Sequence, residues 1–410
     1  MALVQGASMS SSRIVIVGGG FGGLYTALNL CQFPWTAANR PDIVLLSNER
    51  HFLFSPLLYE LITGEMQSWE VAPPYEELLA ETPVRFQQAQ VRGVDLAQRR
   101  VDMGGESLTG DYLVLAVGGE TQRPPIPGLR EYAYEFRTLA DAERLRERLR
   151  LLLTGTGVVR VVIVGAGPSG IELACKLADQ LGNRGRVRLV DRGMEILKTF
   201  SPFARETAQK ALERRRVWLN LATTVTEITA QSITLNYKDQ LDVLPVDVVV
   251  WTAGTCTPAW VRALPTSHDD QGRVVVRPTL QLPDYPQVLA LGDVAACVDA
   301  DGQAIPRTAQ AAFQQADYAA WNLWALITGR SLLPFRYVHL GEMLTLGTED
   351  AALSGLGVQL QGPLAYVVRR LVYLWRLPTL KHRLQVGWHW MITPWLDWVT
   401  RWTASPPPVV

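Results

Sequence analysis

Cysteine and histidine are scarce in this sequence, with 4 Cys and 5 His among 410 residues. The cysteines form no C-x-x-C pair and no spacing typical of zinc ligands, so the sequence predicts no metal site. Scattered thiols of this kind are typical of a protein that folds in a reducing compartment. The cysteines are Cys31, Cys175, Cys256 and Cys297.

Excess charge and long apolar runs are also absent. The chain has 39 basic and 39 acidic residues, a formal net charge of +0, which predicts no nucleic-acid partner. The first residues, MALVQGASMSSS, lack the basic and apolar segments of a signal peptide. No stretch approaches the roughly 18 uncharged apolar residues of a membrane-spanning helix.

What the sequence does contain is a glycine-rich loop near its start, in RIVIVGGGFGG at Arg13–Gly23. An apolar β-branched run precedes the loop, and a helical pattern follows it. Gly18, Gly20 and Gly23 fit G-x-G-x-x-G, whose glycines permit a tight turn, the approach of a pyrophosphate, and close helix–strand packing. The start of such a helix attracts phosphate charge.

The same pattern occurs a second time. The stretch VVIVGAGPSG at Val161–Gly170 places Gly165, Gly167 and Gly170 between a strand pattern and a helix pattern. Two dinucleotide sites in one chain imply a flavin and a nicotinamide that exchange a hydride. A chain of 410 residues with 48% hydrophobic content is long enough for two or three domains.

The alternation of strand and helix patterns predicts an α/β fold with two Rossmann-like dinucleotide-binding domains and a C-terminal amphipathic helical region. We predict buried strands at Asp42–Leu46, Val187–Val190, Asp247–Val250 and Val288–Leu291, and helices at Leu139–Leu153 and Thr308–Thr328. The predicted domain bounds are 10–122 and 276–340 for a flavin-binding domain in two parts, 123–275 for a nicotinamide-nucleotide-binding domain, and 341–410 for the C-terminal region.

Several longer motifs span nearly the whole chain. They are GGGFGG at Gly18–Gly23, FLFSPLLYEL at Phe52–Leu61, GAGPSGIELA at Gly165–Ala174, WTAGT at Trp251–Thr255, ALGD at Ala290–Asp293 and AQAAFQQ at Ala309–Gln315. This set resembles the two-dinucleotide-binding-domain flavoproteins, and more narrowly the type II NAD(P)H:quinone dehydrogenases. YELITGEMQSWEVAP at Tyr59–Pro73 and LGEMLTLG at Leu340–Gly347 are similar to the demethylphylloquinone reductase branch of that family.

The resemblance implies an enzyme in which NAD(P)H reduces FAD and a membrane quinone then takes two electrons, without proton pumping. The narrower branch implies a naphthoquinone such as demethylphylloquinone, a place in phylloquinone synthesis, and NADPH as the donor. It also implies a peripheral protein on the cytoplasmic side of a membrane, with a thylakoid location and a homodimer left open. A general type II NADH dehydrogenase that acts on plastoquinone or menaquinone is the alternative.

The candidate flavin contacts lie in the first glycine loop and at the ends of strands. Ser47 ends the second predicted strand, where an acid usually holds a ribose hydroxyl, and it can make a weaker bond of the same kind. Gly292 and Asp293 resemble the family's ribityl-binding pair, although Asp293 could instead cap a helix. The remaining candidate cofactor contacts are Phe21 and Gly118 in the predicted flavin-binding domain and Gly254 in the predicted nicotinamide-nucleotide-binding domain.

On the nicotinamide side, Glu172 follows the second glycine loop in the predicted first turn of a helix. By resemblance it lies near the nicotinamide amide and helps proton delivery, whereas a carboxylate that merely stabilises the helix dipole is the alternative. Asp191 ends a strand where an acid favours the free 2′-hydroxyl of NADH. Arg192 follows it and could pair with the 2′-phosphate of NADPH, so the residues themselves leave both donors open.

Gln310 and Gln314 are four residues apart and therefore share one face of the predicted helix. Amides can bond a quinone carbonyl without adding a fixed charge, so these two residues and Glu172 are the candidate catalytic residues. A polar helix face that only meets solvent is the alternative.

The C-terminal region contains no Asp or Glu from Ala351 to Leu396, while five basic residues lie there, namely Arg369, Arg370, Arg376, Lys381 and Arg383. A helical pattern places Tyr366, Arg369, Arg370, Tyr373 and Arg376 on one face, and Leu364, Val367, Val368, Leu371 and Trp375 on another.

A further helix start is predicted at Thr393–Pro394, with Trp395, Trp398 and Trp402 along one face. Basic, Trp-rich helices that do not span are typical of helices lying in the lipid headgroup plane. Packing on the protein core or on a dimer partner is the alternative.

The cysteines and the motifs disfavour three other classes of protein. A disulfide reductase needs a cysteine pair early in the first unit, and only Cys31 lies there. A sulfide:quinone oxidoreductase needs redox cysteines near the flavin, and Cys256 and Cys297 are too few to favour it. A non-catalytic flavin redox sensor would turn over slowly with every quinone.

Overall fold

The computed structural model describes the backbone of residues 12–404 and the side chains of residues 12–392. The N-terminal stretch considered for a signal peptide lies almost wholly outside the described residues. So do the side chains of Trp395, Trp398 and Trp402.

The secondary structure alternates between helices and strands along most of the chain. The helices, α1 to α12, are Phe21–Leu30, Glu60–Thr63, Ser68–Val71, Tyr75–Leu79, Leu129–Tyr132, Leu139–Thr154, Pro168–Leu181, Pro202–Arg214, Ala259–Arg262, Ala309–Thr328, Pro363–Arg376 and Leu380–Ala404. Short 3-10 turns are Ser55–Leu57, Gly182–Arg184 and Gly292–Val294. The strands, β1 to β23, are Arg13–Val17, Asp42–Ser47, Arg85–Gln88, Gly93–Asp95, Arg100–Asp102, Ser107–Thr109, Tyr112–Leu115, Glu120–Thr121, Ala133–Glu135, Val159–Val164, Gly185–Val190, Trp218–Asn220, Thr223–Ile228, Ser232–Tyr237, Gln240–Pro245, Val248–Trp251, Thr255–Cys256, Val274–Val276, Val288–Ala290, Ala295–Cys297, Glu342–Thr345, Ala351–Gly355 and Val358–Gln361.

The chain forms two compact units, and the first comprises residues 12–53, Ala72–Pro124 and Ala253–His339. Its main sheet has five parallel strands in the order β19-β7-β1-β2-β3. The central strand β1 is an apolar run buried in four of its five residues, as expected for a parallel sheet covered on both faces. The helices α1 and α10 pack against each other in this unit.

The second unit comprises Phe54–Val71, Pro125–Thr252 and residues 340–404. Its main sheet also has five parallel strands, in the order β12-β11-β10-β16-β9. Two antiparallel three-stranded sheets, β13-β14-β15 and β21-β22-β23, complete its strands. Each main sheet therefore has a central strand that leads into one of the two glycine loops, which confirms the predicted α/β fold.

The four predicted buried strands are confirmed as β2, β11, β16 and β19, and the two predicted helices as α6 and α10. The helix start predicted at Thr393–Pro394 is wrong, because α12 continues from Leu380 to Ala404 through that position. A proline removes one backbone hydrogen bond from a helix but does not always end it, so a cap-like pair is ambiguous inside a long helix.

Candidate active site

The first glycine loop joins β1 to α1. Gly18 has a φ of 107°, which favours glycine, and its amide donates to the carbonyl of Leu46 at 2.8 Å. A Cβ on Gly23 would collide with the carbonyl oxygen of Gly18, so only glycine allows this approach. Gly20 precedes α1 without a side-chain cap, and a Cβ there would meet no atom within 4 Å. This open, uncapped helix start fits the pyrophosphate of FAD.

A tyrosine that the sequence pattern did not reveal supports this loop. The Tyr75 hydroxyl donates to the carbonyl of Gly19 at 2.7 Å across 56 sequence positions. Burial raises the pKa of Tyr75 above its usual range, so the hydroxyl keeps its proton as a donor. Ser47, the predicted ribose contact, is buried at the end of β2, and its Oγ accepts from the Glu49 amide at 3.2 Å.

The end of β19 supplies the second part of the predicted flavin site. Gly292 begins the 3-10 turn there, and its amide donates to Oε1 of Gln315 at 2.7 Å. Gln315 is 1% exposed, so this last glutamine of the AQAAFQQ motif holds the strand end against α10. Asp293 lies within the turn, whose N-cap is Leu291, so the alternative of a helix-capping Asp293 is wrong.

The other predicted cofactor contacts of this unit are Phe21, Gly118 and Gly254. Phe21 is the first residue of α1, and its ring meets the ring of Phe52 edge-on with centroids 5.4 Å apart. Gly118 follows β7, and Gly254 lies just before β17, where its carbonyl accepts from the Gln122 amide at 3.1 Å.

Gln310 and Gln314 both contact the segment that follows α10. Oε1 of Gln310 accepts from the Tyr337 hydroxyl at 2.9 Å. Gln314 makes two bonds to the backbone of Val338, accepting from its amide at 3.0 Å and donating to its carbonyl at 2.8 Å. Gln314 therefore anchors this segment, whereas Gln310 pairs with a side-chain hydroxyl that sequence reasoning did not select.

The second glycine loop repeats the geometry of the first. Gly165 has a φ of 116°, and a Cβ on Gly170 would collide with its carbonyl oxygen. Gly167 precedes α7 without a side-chain cap, and a Cβ there would meet no atom within 4 Å. No acidic side chain lies in the first turn of α7, so this helix start also suits a pyrophosphate.

Asp191 joins this loop to the turn after β11. Its Oδ2 accepts from the Ala166 amide and its Oδ1 from the Gly193 amide, each at 2.6 Å. Carboxylate oxygens have more than one lone pair each, so a ribose hydroxyl can still bind there. The neighbouring Arg192 is exposed and accessible to a 2′-phosphate.

Glu172 is the fifth residue of α7 and only 7% exposed, so its predicted place in the first helical turn is wrong. Its Oε1 accepts from the Thr345 amide at 2.9 Å, and the Tyr59 hydroxyl bonds to the same carboxyl group. Burial raises the pKa of Glu172 to about 7, although the nearby Arg369 opposes the rise. A carboxyl group of this kind can hold or release a proton near neutral pH.

A buried ion pair lies in the same unit. Glu60 and Arg369 are both 0% exposed, and Nη1 of Arg369 donates to Oε1 of Glu60 at 2.6 Å. Nη2 of Arg369 donates to the Pro56 carbonyl at 2.6 Å, and the guanidinium lies 4.8 Å from the centre of the Tyr373 ring. Although burial opposes ionisation, Arg369 and Lys176 lower the pKa of Glu60, so the carboxyl group stays charged.

The orientation of α11 differs from the one that its basic residues predict. The Tyr366 and Arg369 face is turned inward, and Arg369 is buried against Glu60. The prediction that Arg369 attracts lipid is therefore wrong, because an internal carboxylate binds it instead. The apolar face points to solvent, with Leu364, Val367, Leu371 and Trp375 between 51% and 76% exposed.

A second apolar row lies along α12, where Leu380, Leu384, Trp388 and Met391 are between 64% and 69% exposed. The two helices pack where a Cβ on Gly387 would lie 3.3 Å from Leu374. Within residues 12–404, no helix combines the length and the apolar character needed to cross a bilayer.

The family pattern of the pyridine nucleotide-disulphide oxidoreductases matches residues 12–316 of this chain. The chain therefore belongs to this family, and within it to the type II NAD(P)H:quinone oxidoreductase branch that includes its relatives.

A demethylphylloquinone reductase of Synechocystis sp. is 51% identical over 393 residues, covering 94% of this chain and 97% of the relative. An alternative NAD(P)H-ubiquinone oxidoreductase of Arabidopsis thaliana is 37% identical, covering 94% of this chain and 81% of that protein. The fold is similar to NDH2 from Plasmodium falciparum in complex with NADH, with a TM-score of 0.81 and 18% identity over 94% of this chain and 99% of that structure.

Proposed function

We propose that this protein is a flavoenzyme that transfers a hydride from NAD(P)H to FAD and two electrons onward to a membrane quinone. The observation that carries the proposal is the pair of glycine loops, one in each unit, each with an open glycine before an uncapped helix start. FAD supplies the hydride chemistry when bound, and the chain binds, orients and protonates. We assign residues 10–122 and 276–340 to the flavin and 123–275 to the nicotinamide nucleotide.

The proposed quinone is a naphthoquinone such as demethylphylloquinone. The 51% identity to a demethylphylloquinone reductase over nearly the whole chain supports this choice over plastoquinone or menaquinone. Gln310 is assigned to the quinone side, where its amide can bond a carbonyl oxygen without a fixed charge. Glu172 is assigned to proton supply, because its carboxyl group titrates near neutral pH.

The proposed donor is NADPH or NADH. Arg192 is exposed beside Asp191, which suits a 2′-phosphate, while the carboxylate of Asp191 suits a free 2′-hydroxyl. A steady-state assay with both nucleotides against a panel of quinones measures the preference directly.

We further propose that the exposed apolar rows of α11 and α12 bind the surface of a lipid bilayer. A quinone with a long prenyl tail stays in the bilayer, so its reductase must reach that surface. The exposed Lys381 lies beside these rows and can attract anionic lipid. The cytoplasmic side, the thylakoid location and the homodimer stay predictions.

Replacing Gln310 with leucine tests the quinone assignment. We expect quinone reduction to slow by about three- to tenfold, the effect of losing one neutral hydrogen bond, while flavin reduction by NAD(P)H stays nearly unchanged. Stopped-flow measurement of the two half-reactions separates them. The exposed Gln303 is the matched control, and Gln303→Leu should alter neither rate. Equal slowing of both half-reactions by Gln310→Leu would contradict the assignment of Gln310 to the quinone side.

Replacing Leu371, Trp375 and Trp388 together with serine tests the membrane surface. These side chains are 58%, 76% and 64% exposed, so folding should be preserved. We expect partitioning to vesicles to fall at least about tenfold, because each large apolar side chain contributes roughly 1.5–3 kcal/mol when fully buried. Co-sedimentation with phosphatidylglycerol vesicles measures it.

The control for this triple variant is Leu241→Ser with Val243→Ser on the exposed strand β15, where the two side chains are 67% and 64% exposed. Vesicle binding that falls equally in both variants would argue against a specific membrane surface on α11 and α12. Truncation before Gly362 is a poor test, since it would leave the buried Glu60 without Arg369.

A further inference from the structure

Three acidic residues, spaced five apart, connect the segment of α2 and α3 to the two C-terminal helices. Glu60 binds Arg369, and Oε1 of Glu65 accepts from the Tyr366 hydroxyl at 3.0 Å, both on α11. Glu70 makes the third connection, to α12. The assigned chemistry uses none of the contacts of Glu70.

Glu70 is 1% exposed and contacts three side chains of α12. Its Oε1 accepts from Nε1 of Trp390 at 2.8 Å and lies 3.1 Å from Nδ1 of His389. Its backbone carbonyl lies 3.0 Å from Nε2 of His382, nearly two turns earlier on the helix. Its other carboxylate oxygen accepts from the Gln67 amide at 2.6 Å. A buried carboxylate requires such partners, and Glu70 holds α12 at three points, two through its carboxylate and one through its backbone carbonyl.

These contacts fix the rotation of α12 about its own axis. Each residue advances a helix by about 100°, so holding His382, His389 and Trp390 against Glu70 determines which positions face outward. Val386, between them, is 1% exposed. The outward positions are the apolar row Leu380, Leu384, Trp388 and Met391.

Charged and aromatic side chains from three helices surround His389. Glu70 on α3 faces its Nδ1, and the Trp69 ring lies 5.3 Å away, centre to centre. From α11, the Arg370 guanidinium lies 4.0 Å from the centre of the Trp390 ring, and His382 lies on α12 itself. The His389 ring therefore lies between the Glu70 carboxylate and the Trp69 ring.

We propose that Glu70 is a positioning residue for quinone delivery, which turns the apolar row of α12 toward the bilayer through its bonds to Trp390 and His389. This inference rests on the proposed function at a membrane surface.

The test uses the full-length holoenzyme and two quinones, soluble menadione and a long-chain menaquinone in phosphatidylcholine–phosphatidylglycerol vesicles. The measured quantity is the turnover rate with the vesicle-bound menaquinone divided by the turnover rate with menadione. This ratio cancels any effect of a substitution on the chemistry that both quinones share. We expect Glu70→Ala to lower this ratio by about tenfold or more, the cost of losing a buried hydrogen bond to a charged group. Glu70→Gln, which can still accept from Trp390, should lower it less.

Rescue by the conservative variant distinguishes this role from a merely structural one, because Glu70→Gln keeps an acceptor for Trp390 while Glu70→Ala does not. The exposed Glu206 provides the control, and Glu206→Gln should keep the wild-type ratio. An unchanged ratio in Glu70→Ala, or a ratio in Glu70→Gln as low as in Glu70→Ala, would overturn the inference.

Quenching of tryptophan emission by brominated lipid measures the contact between the protein and the bilayer, independently of turnover. If the wild type reduced neither quinone, the proposed function would fail. Reduced quenching in Glu70→Ala would still support the positioning role, and unchanged quenching would overturn it.

Discussion

Replacing Arg369 with methionine is expected to destabilise the second unit by about 3–5 kcal/mol, because it leaves the charged Glu60 buried without a partner. Both side chains are 0% exposed and their ion pair is 2.6 Å long. The methionine fills much of the volume, so most of the loss comes from the orphaned charge. Urea denaturation followed by circular dichroism measures the change.

The double variant Glu60→Gln with Arg369→Met should regain a large part of this loss, since no buried charge is then left unpaired. The exposed pair Glu147–Arg150 provides the matched control, and Arg150→Met should leave the urea midpoint nearly unchanged. A loss below about 1 kcal/mol in Arg369→Met would show that water reaches the pair.

Replacing Glu172 with glutamine is expected to stabilise the protein at pH 8 but not at pH 5. The pKa of Glu172 is raised by burial from 4.5 to about 7, so the folded state binds its proton more tightly than the unfolded state. Stability therefore falls as pH rises between those two values, and the loss is complete above them. The shift corresponds to roughly 3 kcal/mol, which the neutral amide avoids.

Urea denaturation of both proteins across this pH range measures the difference. The amide oxygen can still accept from the Thr345 amide, so the hydrogen bond at 2.9 Å is preserved in the variant. Glu206→Gln, on an exposed helix face, should give a pH profile parallel to the wild type. Parallel profiles for Glu172→Gln as well would mean that Glu172 is ionised throughout this range.

The burial of Glu172 also matters for the proposed proton supply during turnover. A carboxyl group that titrates near pH 7 can hold or release a proton at neutral pH, as the proposed role in proton supply requires. The Tyr59 hydroxyl that bonds to it keeps its own proton, because burial raises the pKa of Tyr59 well above its usual value.

The sequence predicted much of the candidate site because local patterns determine it. The loops at Gly18 and Gly165 each follow an apolar strand and precede a helix, so their turn geometry depends on neighbouring residues alone. The AQAAFQQ motif located Gln310 on α10 for the same reason. Tyr75 and Tyr337 were missed, since each reaches its partner across a long stretch of sequence that has no periodic pattern.

The sequence by itself determined the α/β class, both glycine loops and the strand ends beside them, because these features depend on short-range periodicity and on glycine. Only the tertiary structure decided which way α11 and α12 face. The helical pattern of α11 separates a basic face from an apolar one, and a basic face normally meets solvent or lipid. Here the acidic residues at 60, 65 and 70 draw the polar face inward and leave the apolar row outside. Those acids lie some 300 positions away in the chain, where no local pattern can connect them.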